Sequence, residues 1–170
     1  MHSGSLAHHL RRLTLLASLA LLPGLPASAQ QAPLRVTASQ FRSLHWLEGR
    51  WRGAGPAGAP FYQECTFRDD STLATRTFAD SAFTRATDSS EVRLRGGEVV
   101  SQSGSRRWAA TAIDSARIRF TPVAHAHHAF TWRRESDDVW TATLRWPARI
   151  GRRTRTVSYR MMRMGTVTSG

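Results

Sequence analysis

The sequence predicts an all-β, antiparallel barrel of about eight to ten strands with a short helix in front of it. Three observations carry this. From residue 61 onward apolar and polar residues alternate with period two in short runs, with no long helical pattern between them. The runs are divided by compact turn sequences such as Asp69-Asp70-Ser71, Gly96-Gly97 and Asp114-Ser115. Ahead of them, Leu44, Trp46 and Leu47 crowd one helical turn, Gly49 breaks it, and Trp51 enters the first strand. Strands so closely spaced avoid exposed edges best by closing on themselves. A two-sheet sandwich is the alternative that the pattern allows.

In chain order, the first segment reads as an export signal. His8, His9, Arg11 and Arg12 form a basic head, and residues 13–22 are ten small or apolar residues ended by Pro23-Gly24. Ala27-Ser28-Ala29 has the small-x-small form of a cleavage site. Ten residues at about 1.5 Å each reach only about half-way across a hydrocarbon core of about 30 Å. The expectation is therefore a signal peptide over 1–29, cleaved near Ala29. The product would be periplasmic or secreted and have no transmembrane segment. The remaining chain divides into a flexible lead-in (30–39), one domain (40–165) and a tail (166–170). A domain of that length can bury a core without covalent staples. Cys65 is the single cysteine, so no internal disulfide can form, and in an apolar strand it reads as a small core residue.

Thr37 or Ser39 can cap a brief helix running to Leu47, with Phe41, Leu44 and Leu47 on one stripe. Gly49 ends it, since glycine takes positive φ cheaply. The Gly/Pro-rich segment 53–60 reads as an open loop on the barrel rim; it follows no phosphate-loop pattern and no lysine follows it. Phe61, Gln63, Cys65 and Phe67 share a strand face, 72–79 is the return strand, and 91–95 with 98–102 form a hairpin about Gly96-Gly97. Residues 108–113 and 116–120 come next, the latter with Ile118 and Phe120 inward and Arg117 and Arg119 outward. Phe130 and Trp132 share a face of the next strand. The cleanest alternation sets Trp140, Ala142, Leu144 and Trp146 against Thr141, Thr143 and Arg145. The last strand, 153–164, sets Val157, Tyr159 and Met161 against Thr156, Ser158 and Arg160. The count is roughly nine strands.

The pattern Leu44-x-Trp46-Leu47-x-Gly49-x-Trp51, with alternating strands after it and an arginine-bearing final strand, resembles the calycin-like barrels: lipocalins, fatty-acid-binding proteins and the nitrobindin group. The resemblance implies that Gly49 and Trp51 pack at the closed end of the barrel under a guanidinium from the last strand, Arg160 or Arg163. More narrowly, Phe120, Pro122, His125 and Trp132-Arg133-Arg134 fall in the order seen in exported bacterial proteins of unknown function with lipocalin-like folds. That likeness covers about residues 40–164. Nitrobindin-like proteins bind haem through a histidine late in the chain; here no histidine follows His128, so no cofactor is assigned and haem is kept only as a titration to make.

The barrel interior is the first candidate site, a cavity for a small apolar or planar molecule lined by Trp132, Trp140, Leu144, Trp146 and Tyr159. Simple filling of the core by these aromatics is the competing reading. His125 and His127, two residues apart, project to one side if their segment is extended, and can serve a ligand, half of a metal site, or nothing but solvent. No third ligand stands nearby, so no metal is assigned. No nucleophile elbow, His-Glu-x-x-His or sequence-adjacent Cys–His pair is present, and Glu64 falls on the outward phase, so no catalytic residue is named. The second candidate is electrostatic. All 24 basic residues are arginine against 12 acids, a formal charge of +12, and such a field draws polyanions. For an exported chain these are anionic envelope lipids or glycans rather than nucleic acid. Arginines that merely coat the outer strand faces are the plainer reading.

Overall fold

The computed structural model describes residues 34–55, 58–148 and 153–165. The expected export signal, its cleavage site, most of the lead-in and the tail lie outside the described residues. Ten antiparallel strands close into one barrel: β1 (Gly49–Ala54), β2 (Pro60–Asp69), β3 (Thr72–Phe78), β4 (Ala86–Arg95), β5 (Glu98–Ser103), β6 (Arg106–Asp114), β7 (Arg117–Ala124), β8 (Ala129–Arg134), β9 (Val139–Trp146) and β10 (Arg155–Arg163). Each strand pairs with its neighbour in sequence, and β1 closes the ring by pairing with both β2 and β10. The sandwich alternative is thereby excluded, since a closed ring leaves no strand edge.

A short α-helix, α1 (Ala38–Arg42), runs directly into a 3₁₀ turn (Ser43–Leu47). Of the two expected caps, Thr37 is the one used: its hydroxyl accepts from the Gln40 amide while the Gln40 side chain accepts from the Thr37 amide, a reciprocal capping box. The tighter 3₁₀ geometry brings Trp46 inward as well as Leu44 and Leu47, and with Phe41 all four are buried across one end of the barrel. Val36 joins them, its amide donating to the Gly97 carbonyl at 2.8 Å.

Below this plug the strands fill the interior with Trp51, Leu73, Val92, Val99, Ile118, Phe120, Trp140 and Met161. Trp140 stands edge-to-face with Trp46, Trp51 and Trp132 at ring distances of 6.4, 6.0 and 6.0 Å. That packing sets positive ring edges on negative ring faces. The buried indole nitrogens of Trp46 and Trp140 have no hydrogen-bond partner among the described residues.

Trp51 is the keystone of this end. Its indole donates to the Leu47 carbonyl at 2.7 Å, and the Arg163 guanidinium lies 4.2 Å above its ring. The same guanidinium donates to the carbonyls of Glu48, Trp46 and Asp137 at 2.8, 3.3 and 3.1 Å. Gly49 makes room for it. A Cβ there would fall 2.6 Å from Arg163 Nη1, and its φ of +125° suits glycine alone. Of the two candidate arginines, Arg163 fills this position. Arg160 is exposed on the outer face and pairs with Glu135, because residues 160 and 163 of an extended strand point to opposite faces.

The largest departures from the sequence-based boundaries are in β1, β4 and β7, the last running on to Ala124, four residues beyond Phe120. Gly53 and Ala54 belong to β1, not to the rim loop, which shortens to 55–59. β4 begins at Ala86, five residues earlier than its apolar pattern indicates, because its first inward residues are polar.

Candidate functional site

Antiparallel order sorts the connections into two ends. The helical plug shares its end with the turns at 70–71, 96–97, 115–116 and 135–138. The ends of β1, β3, β5, β7 and β9 and the starts of the strands that follow them gather at the other. The expected rim loop and the histidine cluster do stand at this same end. Between it and the plug lies a cavity of about 400 Å³.

The cavity has two chemically distinct walls. The adjacent strands β8, β9 and β10 contribute Phe130, Trp132, Trp140, Ala142, Leu144, Tyr159 and Met161. Phe61 of β2 joins this side, because its ring reaches across β1 to meet Tyr159 edge-on at 5.6 Å. Gly53 allows that reach: a Cβ there would fall 2.5 Å from Phe61 Cζ and 2.6 Å from Met161 Sδ. The opposite wall, from β2, β3 and β4, presents Gln63, Thr75, Thr77, Asp88 and Ser90. Thr75, almost fully buried, shares a 2.6 Å hydrogen bond with Ser90. Hydroxyls are retained there despite burial because each partner satisfies the other.

Charge appears only at the mouth. Asp88 accepts from the Ser103 hydroxyl at 3.1 Å, and Arg106 donates to that same hydroxyl at 3.0 Å while lying 3.8 Å from the Asp88 carboxylate. His128 lines the cavity beside them. Its ring is 5.5 Å from that of Trp108 and 5.0 Å from that of Trp146. The Trp108 indole donates to its carbonyl at 2.8 Å. Burial first, then the positive charge of Arg106 and the neighbouring His127, hold the His128 pKa below its ordinary value. The imidazole is therefore neutral at pH 7.

Against the sequence-based set, Trp132, Trp140, Leu144 and Tyr159 are brought together on the apolar wall. Trp146 stands beyond the lining, its ring between His128 and the Arg155 guanidinium, which lies 5.3 Å from it. His125 and His127 are exposed and away from the lining. The extended geometry that would have aligned them is absent, since His125 has φ +54°. Among the described residues no three His, Cys, Asp or Glu side chains are placed to hold a metal ion. The phase of Glu64 is outward as expected: Arg50 donates to it at 2.9 Å and Arg76 pairs with it on the outer face. Burial pushes its pKa up, but the hydrogen bonds and charges of Arg76 and Arg50 outweigh this and hold it below the ordinary value. Sequence reasoning missed Asp88 and Ser90, and it held His128 only as one of a cluster of three histidines, His125, His127 and His128, without telling it apart from the other two. The inward acid and imidazole that strand phase did not supply both stand on the cavity wall.

No family model matches the chain, and no curated protein does. Similar solved structures include Rv2717c from M. tuberculosis, at 18% identity over 74% of this chain and 98% of that one, with a TM-score of 0.45. A redesigned β barrel gives 10% identity, 79% and 100% coverage and a TM-score of 0.37. The protein EF1p2_mFAP2b bound to DFHBI gives 8%, 74% and 99%, with a TM-score of 0.39. The barrel itself rests on the strand pairing of this chain.

Proposed function

We propose that this protein is an exported small-molecule-binding barrel of calycin-like type, holding one planar, mainly apolar ligand in its two-walled cavity. The observation that carries the reading is the cavity: about 400 Å³, aromatic on one side and hydroxyl-bearing on the other. Binding sites of this kind are mostly apolar with a few placed polar groups that fix orientation. A flat ring system lies against Trp132, Leu144 and Tyr159, and its polar edge meets Gln63, Thr77 and Ser90. Entry is from the end carrying 55–59 and 125–128, because the plug seals the other.

Haem is not part of this reading. Neither β9 nor β10 contains a histidine, and the cavity wall offers His128 alone.

Tryptophan fluorescence tests the proposal, since Trp132 and Trp140 are in the wall. Titration with an environment-sensitive planar dye, a fatty acid and hemin should give saturable one-site quenching with the dye. Ala142→Phe, which fills the wall between Trp132 and Tyr159, should weaken it at least tenfold without loss of fold. Quenching by none of the three ligands, or quenching unaffected by Ala142→Phe, would remove the cavity as the binding site.

A further inference from the structure

We propose that the barrel carries a second, separate site on its outside: an arginine-rimmed groove across β3 to β6 that binds a multiply phosphorylated sugar or polyol. The groove encloses about 640 Å³, more than the interior cavity. Its floor is made of short side chains, Ala74, Ser89 and Val100, with Gly104 at one end. Around it stand five arginines, Arg68, Arg76, Arg93, Arg95 and Arg107, against two acids, Glu91 and Glu98. Strand register builds this arrangement. Ala74, Glu91, Gln102 and Arg107 form one outward row across four strands, and Arg93 faces Val100 in the next.

The ion pairs within the groove position guanidiniums rather than neutralise the site. Glu91 pairs with both Arg68 and Arg93, and Glu64 fixes Arg76 from the adjoining strand. Arg95 and Arg107 have no ion pair among the described residues, which leaves two forks whose parallel N–H groups match phosphate oxygens. The lining also selects among polyanions. It holds no aromatic side chain on which a nucleobase could stack, and Val100 is too small to hold an acyl chain. Gln102 and Ser89 suit the hydroxyls of a sugar. A flat bilayer meets the rim but leaves those floor groups unpaired, whereas a compact phosphorylated polyol meets both.

Calorimetric titration of the full chain with inositol hexakisphosphate at 150 mM salt tests this. The expected result is saturable one-to-one binding, weakened at least tenfold by the double variant Arg95→Gln/Arg107→Gln with an unchanged melting temperature. A control pair, Arg119→Gln/Arg145→Gln, lies in a different outer groove of about 350 Å³ and should have little effect. The interior-filling Ala142→Phe should also leave it intact, which separates failure of this site from failure of the cavity. No binding, equal weakening by both arginine pairs, or loss with Ala142→Phe would each overturn the assignment. So would tighter binding to vesicles containing anionic phospholipid than to inositol hexakisphosphate with the same variant dependence, since that would make the occupant a membrane.

Discussion

At the scale of single residues, His128 links the cavity to pH. Its ordinary pKa is 6.5, and burial beside Arg106 and His127 lowers it in the fold. As pH falls through 6.5, the unfolded chain takes up this proton first. The unfolded state then binds more protons than the native one, so stability falls with falling pH until the folded histidine also titrates. His128→Gln should remove that contribution. Urea midpoints measured from pH 7.5 to 5 should fall less steeply for the variant, and parallel curves would mean that His128 titrates as it does in the unfolded chain. Nothing in the local sequence separated His128 from His125 and His127. Which of three near-adjacent histidines faces inward depends on the left-handed turn at His125, and no glycine announces it. Arg163 and Arg160 pose the opposite case: strand phase alone puts them on opposite faces, and the alternation to decide between them was already in the sequence.

At the scale of elements, legibility followed hydrophobic contrast. β9 was readable to the residue, because Trp140, Ala142 and Leu144 alternate with threonine and arginine. The first half of β4 was not, because Ala86–Arg95 begins with five residues lacking any large apolar side chain. Those residues face a cavity mouth and a hydroxyl wall, so the contrast that marks a core strand is missing where the site lies. The paired hydroxyls replace it. Removing one partner should orphan the other: Ser90→Ala leaves buried Thr75 unpaired and should cost about 1–2 kcal/mol, whereas Thr75→Val with Ser90→Ala should recover most of that loss. Chemical denaturation of the single and double variants gives the coupling energy directly. Additive losses would show that the two hydroxyls do not act as a pair.

At the scale of the whole molecule, closure makes one buried atom a reporter of global opening. Cys65 lies inside β2, almost wholly buried, and burial raises its thiol pKa beyond the ordinary range. In a ring without edges the thiol cannot reach solvent by fraying of a terminal strand. It becomes reactive only when pairing between β1 and β2 or between β2 and β3 is lost. Labelling with an excess of a chromogenic disulfide at pH 8 should therefore track the equilibrium population of the opened chain, provided that reclosing outpaces reaction. Leu44→Ala tests the coupling from within the plug. Leu44 is fully buried, so truncation should cost about 3 kcal/mol and speed labelling roughly a hundredfold, although Leu44 and Cys65 sit on different elements. A ligand filling the cavity should slow the same reaction in proportion to its saturation, since it binds the closed barrel only. Labelling that is fast in the unmodified protein and indifferent to Leu44→Ala would mean that β2 opens locally, and that plug and barrel do not fold as one cooperative unit.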